Sequence, residues 1–269
     1  MKQKIMSAFK KFNIDTVGIT DASLYNSVTG SDYKSVIVAL FPYYCGIAEN
    51  SNISMYTYGI DYHRVIKSVL EGVCREVGLD NYSLHSDIGP EIERTLAVNA
   101  GLCFVGKNGM CINDDYGSYF FIGYIACSEE IAFDQPNKKS CLGCMRCVNA
   151  CPGGALSVGF AKDKCLSAIT QKKGRLSEWE HKLIKDNGSA FGCDICQRVC
   201  PHNANVKKSE LEQFTNDTVT RLELSEISKM SNREFAGKYR NRSFAWRGRA
   251  VVERNLRIIE EAEVKNTDF

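Results

Sequence analysis

Seven of the thirteen cysteines in this 269-residue chain sit in two short runs, each closed by Cys-Pro. The first, SCLGCMRCVNACPGGA, sets Cys141, Cys144, Cys147 and Cys151 in a C-x2-C-x2-C-x3-C-P pattern. The second, GCDICQRVCPHN, holds Cys193, Cys196 and Cys200. Three thiolates at C-x2-C-x2-C spacing suit a cubane iron–sulfur cluster, which takes four. A zinc site needs only four ligands in all and does not call for such a triple. Disulfides would require an oxidising compartment, and no signal-peptide pattern opens the sequence: MKQKIMSAFKKFNI is charged and amphipathic.

In runs of this kind the fourth cysteine serves the other cluster, because the loop wraps one cubane and the next helical turn points elsewhere. Cys141, Cys144 and Cys147 are therefore assigned to one [4Fe–4S] cluster, completed by Cys200. Cys151, Cys193 and Cys196 are assigned to a second, which still lacks a ligand. Cys165, in KDKCLSA, is the only cysteine between the runs and supplies it by counting. The other five, Cys45, Cys74, Cys103, Cys111 and Cys127, lie in apolar contexts such as GLCFVG and YIACSE and read as small buried hydrophobes.

These thiols need a scaffold. The chain is 44% hydrophobic and 25% charged, enough for one or two globular domains with a real core. A net charge of +2 points to no partner by bulk electrostatics. No apolar run approaches the ~20 residues of a membrane helix. Cysteine usage without an export signal implies a reducing cytoplasm.

Periodicity predicts a helix over 1–14, with Ile5, Ala8, Phe9 and Phe12 on one face, then strands at TVGITDA and SVIVALFPYY. DYHRVIKSVLEGVCREVGL reads as a helix, NYSLHSD as a strand, and IERTLAVNAGL as a helix closed by Gly101. MCIND and SYFFIGYIACS read as an antiparallel pair joined by the DDYG turn. Residues 1–135 thus form an α/β or α+β domain, 136–205 the iron–sulfur module, and 206–269 a basic helical segment. Between Lys229 and Arg257 there are nine Lys or Arg and two Glu. This is either a phosphate-facing surface or an ordinary solvated helix face.

A ferredoxin-sized module needs no domain of 135 residues, so the electrons go to something that domain binds. Three segments there carry chemistry. YTYGIDYHRV places Tyr58, Gly59, Asp61, Tyr62 and His63 at a helix start, where Asp61 also suits a plain N-cap. SDIGPEIER places Asp87 in a turn before a helix, where an Asx-turn is the structural alternative. GLCFVGKNGMCI frames Lys107 and Asn108 with glycines.

Taken in order, Y-x-x-G-x-D-Y-H, D-x-G-P-x-x-E-R, A-G-L-x-x-x-G-K-N, GSYFFIGYI, the first cysteine run and GCDICQRVCPHN resemble epoxyqueuosine reductases, which are related to reductive dehalogenases. The resemblance spans about residues 15–260. It implies an α+β fold: a nitroreductase-like cobalamin-binding α/β domain, a ferredoxin-like double [4Fe–4S] module and a short helical C-terminus. It implies the same eight thiolate ligands. It also implies two-electron deoxygenation of epoxyqueuosine in tRNA, with cobalamin as cofactor. Asp87 would be the acid that protonates the departing oxygen, its pKa raised by burial against the macrocycle. Asp87, Cys111, Ile122, Ser167, Cys193 and Asp194 match places where the family lines the corrin, largely by backbone.

The sequence departs from that pattern in three places. Only VTGSDY stands between LYNS and KSVIVAL, His202 replaces a common tryptophan, and RGRAVVERN matches the last helix before the family's tRNA-gripping helical repeats, which do not follow. The expectation is a short-form, monomeric, cytoplasmic oxidoreductase supplied by an external low-potential electron donor, with tRNA as the implied partner. Two alternatives stay open: a corrinoid iron–sulfur reductase of another small substrate, and an iron–sulfur electron-transfer protein without cobalamin.

Overall fold

In the computed structural model, residues 1–87 and 90–266 are described. The helices are α1 (Lys2–Lys10), α2 (Ser23–Thr29), α3 (Tyr62–Val77), α4 (Pro90–Asn99), α5 (Arg146–Asn149), α6 (Leu166–Thr170), α7 (Glu178–Asn187), α8 (Ile195–Arg198), α9 (Glu212–Thr215), α10 (Leu224–Ile227), α11 (Asn232–Tyr239) and α12 (Arg249–Asn266). The strands are β1 (Val17–Asp21), β2 (Ser35–Pro42), β3 (Tyr82–Ser86), β4 (Phe104–Val105), β5 (Cys111–Ile112) and β6 (Phe120–Cys127). The fold mixes helix and sheet. Contacts divide the chain into one unit of residues 1–45, 62–142 and 205–215, and another of 46–61, 143–204 and 216–269. The linear division at 135 and 205 follows motifs; contacts move 46–61 and 205–215 across it.

The first unit is built on an antiparallel sheet of order β1-β2-β6-β3. All eight residues of β2 are buried, because helices cover both faces of this strand. That is why SVIVALFP reads as a continuous apolar run rather than an alternating one. Val36, Val38 and Leu40 pack with Leu96, Ala97 and Ala100 around α4. The opposite face meets α3, whose Ile66 leaves Gly123 no room for a Cβ. The close of α4 is as predicted: Gly101 has φ 80°, and the Leu102 N–H donates to the Ala97 carbonyl.

One predicted pairing is corrected. β5 does not form a hairpin with β6; it pairs with β4, with Val105 opposite Cys111. The glycine-framed turn makes the shorter connection, closed by the Gly106 N–H on the Met110 carbonyl at 2.8 Å. That leaves β6 free to sit between β2 and β3. The DDYG turn keeps only a bridge between Asn113 and Gly117.

The second unit has little regular structure around the cysteines and is held by buried polar side chains. Asn255, fully buried on α12, donates to the Thr170 and Ala190 carbonyls at 2.7 and 2.9 Å. Asn52 pairs both ways with the Leu222 backbone at 2.8 and 2.9 Å. Ile53 and Phe191 form a parallel bridge. α7 opens with a capping box between Ser177 and Glu180.

Candidate functional site

β3 stops at Ser86, opposite Gly123, while β6 continues back to Phe120. The stretch Phe120–Ile122 therefore runs on past the end of its neighbour. A cavity of about 160 Å3 opens there, lined by Tyr62, Asp87, Glu93, Arg94, Met110, Cys111, Ser118, Phe120, Phe121 and Ile122. The α3 start, the β3 end, α4, the β5 start and β6 each contribute.

Asp87 is the polar focus. Its φ of 60° lies in the left-handed region, which Asp tolerates better than most residues. The Tyr62 hydroxyl donates to Asp87 Oδ2 at 2.7 Å, and His63 Nε2 lies 3.6 Å from the same oxygen. The Tyr62 ring is stacked between His63, 4.0 Å away, and Phe121, 4.2 Å away at 10°. The aromatic stack fixes the hydroxyl that holds the carboxylate. His63, ahead of the opposing effect of burial and assisted by Tyr62, holds the Asp87 carboxyl below the usual carboxylate range. The Asp87 side chain is 54% exposed, so desolvation does not outweigh its two donors. The turn beyond Asp87 lies outside the described residues, and with it the Asx-turn alternative.

Asp87, Cys111 and Ile122 thus meet at one cavity. Glu93 and Arg94 join them, with Glu93 only 7% exposed. Sequence reading had them inside a motif but gave them no place in the site. Their position within two turns of Asp87, at the start of α4, was the available signal. Asp61 directly precedes α3, as an N-cap would, and its own N–H donates to the Asn241 carbonyl at 2.7 Å.

Within the second unit, Cys193 and Asp194 line a smaller cavity of about 70 Å3 with residues 51–54. Asp194 is 5% exposed, accepts from the Ser54 hydroxyl, and takes the Met55 N–H at 2.7 Å. Burial pushes its carboxyl up against those two donors. Ser167 sits in α6, its carbonyl accepting from Thr170 Oγ1 at 2.8 Å and Gln171 Nε2 at 3.1 Å.

Four thiols gather here. Cys193 and Cys196 each lie within electrostatic reach of Cys151 and Cys165, and burial pushes both up to about 12. The grouping contains Cys165, the residue assigned by counting. Cys144 is exposed and Cys147 buried; Gly143 and Met145 both take positive φ, 66° and 58°, which winds the loop tightly. Cys200 caps the 3-10 turn Pro201–Asn203. α5 and α8, the helical turns of the two runs, pack together. Among the described residues no group of three or more His, Cys, Asp or Glu closes around a single metal ion.

Five of the nine cations between Lys229 and Arg257 are tied internally. Arg249 and Arg257 both engage Glu253, the latter at 2.6 Å. Arg254 donates to the Lys172 and Gly174 carbonyls at 2.9 and 2.8 Å. Arg242 pairs with Asp217 at 2.7 Å, and Lys238 with Glu226. These ties favour the solvated-face reading over a phosphate surface. Among the described residues no helix is long and apolar enough to cross a membrane.

Known proteins resemble this chain in sequence and fold. The family model described as 4Fe-4S double cluster binding domain matches residues 140–203, and the one described as Epoxyqueuosine reductase QueG, DUF1730 matches 27–85. An epoxyqueuosine reductase of Lactococcus garvieae is 37% identical over 74% of this chain and 58% of its own length. One of Cyclobacterium marinum is 34% identical over 70% of this chain and 69% of its own. The chain therefore spans little more than half of the first relative. Among solved structures, an epoxyqueuosine reductase from Streptococcus thermophilus superposes with TM-score 0.80 at 24% identity, covering 100% of this chain and 84% of that one. An epoxyqueuosine reductase solved with a tRNA-Tyr epoxyqueuosine-modified stem loop gives 0.80 at 24%, covering 97% and 81%. A reductive dehalogenase whose structure suggested a mechanism for B12-dependent dehalogenation gives 0.50 at 17%, covering 97% and 36%. By its relatives, its matched domains and its fold, the chain belongs to the epoxyqueuosine reductase family.

Proposed function

We propose that this chain is an oxidoreductase that removes the epoxide oxygen of epoxyqueuosine, in tRNA, using two [4Fe–4S] clusters and cobalamin. The observation that carries the reading is Asp87, held by Tyr62 and His63 at the mouth of a cavity walled by Phe120, Phe121, Cys111 and Ile122. The stem-loop complex of a structural neighbour supports the substrate, and the dehalogenase neighbour supports the corrinoid. In this reading 1–135 binds corrinoid and substrate, 136–205 carries electrons and 206–269 is an accessory basic segment.

The donor set suits the clusters: Cys141, Cys144, Cys147 and Cys200 for one, and Cys151, Cys165, Cys193 and Cys196 for the other. The corrin has its own point of fit. Asn108 is 7% exposed, and its Nδ2 has no hydrogen-bond partner among the described residues. A buried donor of that kind calls for an acceptor, and the amide-bearing rim of a corrin offers many. On the family resemblance, Asp87, Cys111 and Ile122 of the first unit, and Ser167, Cys193 and Asp194 of the second, would be its further contacts. Bound cobalamin, recharged through the clusters, would supply the low-potential electron pair.

The chain's own residues handle the proton. Removing an epoxide oxygen as water, with an alkene left behind, consumes two electrons and two protons. The first C–O cleavage leaves an alkoxide that needs a positioned acid. His63 and Tyr62 draw the Asp87 carboxyl down, so its acid form needs a proton delivered at Oδ2. The His63 imidazole, with Nε2 3.6 Å from Oδ2, is the group placed to deliver it, and the Tyr62 hydroxyl fixes the oxygen to be loaded. Phe120 and Phe121 keep water from the developing charge.

The test is anaerobic reconstitution with iron, sulfide and cobalamin, then turnover of an epoxyqueuosine-bearing anticodon stem loop. Product from wild type and none from Asp87→Asn, at equal iron and corrin content, is the expected result. Equal turnover by the two removes the acid assignment. Full cluster loading without retained corrin leaves an electron carrier instead.

A further inference from the structure

An electron that reaches this chain from outside enters most readily where a cluster comes nearest to the surface. Of the eight thiols assigned to the clusters, Cys144 alone is exposed; Cys147 is buried and the other six are half-buried. Cys144 sits between Gly143 and Met145, whose φ values of 66° and 58° turn the loop sharply just before α5. Its neighbours along the chain are apolar and open to solvent: Leu142 is 66% and Met145 38% exposed. Residues 135–162 contain no Asp or Glu and four cations, Lys138, Lys139, Arg146 and Lys162, in a chain with 32 acids over 269 residues. All four cations are exposed. Among the described residues only Lys139 of the four has an ion pair, with Asp114 at 2.5 Å.

Scattered exposed apolar residues are ordinary on a protein surface. Charge of one sign around an exposed ligand is not. The place of that ligand in the module adds to this. Cys144 belongs to the set Cys141, Cys144, Cys147 and Cys200. The residues that the family resemblance puts at the corrin, Ser167, Cys193 and Asp194, lie in or beside the other set. α5 and α8, one from each run, pack together, so the set of Cys144 is left to receive electrons. A second exposed apolar pair provides the contrast. Val158 and Phe160, 94% and 63% exposed, stand on a loop closed by the Ala161 N–H on the Ala155 carbonyl at 2.8 Å. The thiols on either side of that loop, Cys151 and Cys165, are only half-exposed to solvent.

We propose that the loop 142–146 is the docking surface of a small acidic electron-carrier protein, and that electrons enter the chain at Cys144. Leu142 and Met145 give the contact an apolar centre, and cations stand around it as a polar rim. Charge complementarity selects the partner: a positive rim steers an acidic protein to the loop and holds it briefly, as a carrier that must leave again requires. Each docking moves one electron. The carrier is oxidised, the cluster assigned to Cys141, Cys144, Cys147 and Cys200 is reduced, and no bond is made or broken. Two dockings supply the electron pair that removal of the epoxide oxygen consumes. The proposal rests on the cluster assignment and on the reductase reading above.

The reconstituted full-length chain is mixed anaerobically with the hydroquinone of an acidic flavodoxin, and bleaching of the clusters is followed by stopped-flow absorbance. The rate should be highest at low salt and fall steeply as salt is added. Arg146→Glu should lower the low-salt rate constant about tenfold. Leu142→Ser combined with Met145→Asn should also lower it, Asn being a residue that tolerates the left-handed backbone at that position. With reduced methyl viologen, a reagent too small to need a docking surface, the same variants should be reduced no more slowly than wild type, at equal iron content. Val158→Ser combined with Phe160→Ser should behave as wild type with both reductants. A wild-type rate that ignores salt, loop variants as fast as wild type with the flavodoxin, an equal loss with methyl viologen, or a loss confined to the Val158 and Phe160 variant would each overturn the proposal. Because the readout is the arrival of electrons at iron, its failure is distinct from failure of the epoxide reading, which is judged by turnover.

Discussion

The two cysteine runs and the cavity lined by Asp87 differ in how far the chain must travel to assemble them. Cys196 lies on α8 and Cys193 three residues before it, and Cys141, Cys144 and Cys147 lie within seven residues. Their register is a property of the local backbone, wound by Gly143 and Met145 at positive φ. The cavity draws Tyr62, Asp87, Arg94, Cys111 and Phe121 from five separate elements. Its shape depends on one non-local event, the end of β3 opposite Gly123. Locally specified chemistry should fail locally, by loss of a cofactor. Chemistry specified by packing should fail by loss of geometry with every cofactor still in place.

The largest effect expected is on the first kind. Cys165→Ala or Cys193→Ala should lower iron from about eight to about four per chain and abolish turnover. Circular dichroism of the sheet should hardly change. Full iron in the Cys165 variant would remove that residue from the ligand set.

Asp87→Asn probes the second kind. Turnover should fall by about 10²–10⁴-fold with iron unchanged, since one general acid is lost and nothing else moves. Iron loss in this variant would erase the distinction between the regions.

Between these in character lies Asp194, a polar group that is packed rather than reactive. Asp194→Ala strands the Ser54 hydroxyl and the Met55 N–H in a buried site, and should cost about 1–3 kcal/mol in chemical denaturation. Asn255→Ala strands two carbonyls and should cost a similar amount.

The smallest effect concerns pH. His63 is the first cause of the lowered Asp87 pKa. A depressed carboxyl adds stability above its unfolded pKa and loses it as pH falls through the folded one. His63→Ala should therefore raise the Asp87 pKa towards the ordinary carboxylate value, seen by NMR titration, and the acid limb of stability should begin at higher pH. Tyr62→Phe should act in the same direction more weakly. An unshifted Asp87 in His63→Ala would mean that the imidazole does not govern the carboxyl.

Much of this was legible from residues alone. The continuous apolar run of β2, the α3 stripe and the Gly101 helix stop all follow from short-range periodicity or spacing. The β5–β6 hairpin was misread because DDYG is a good turn signal and nothing local reveals that β6 is claimed on both edges by β2 and β3. The segment 46–61 was assigned to the first domain by position. Its polar residues Ser51, Asn52 and Ser54 instead find their partners near 191–194 and 220–222, more than a hundred residues on.

The sequence by itself determined the chemistry that neighbours along the chain can carry out: which thiols stand at cluster spacing, which stretches alternate or run apolar, and which motifs place this chain in its family. Tertiary structure decided the state of the groups it brought together. The Asp87 carboxyl is drawn below the usual carboxylate range because His63 and Tyr62 reach it from α3. Cys111 differs from Cys74 because one lines a cavity and the other is packed away from the described ones. Titration and reactivity depend on what lies within a few ångströms in space, and for these residues that is set by strands and helices far apart in sequence.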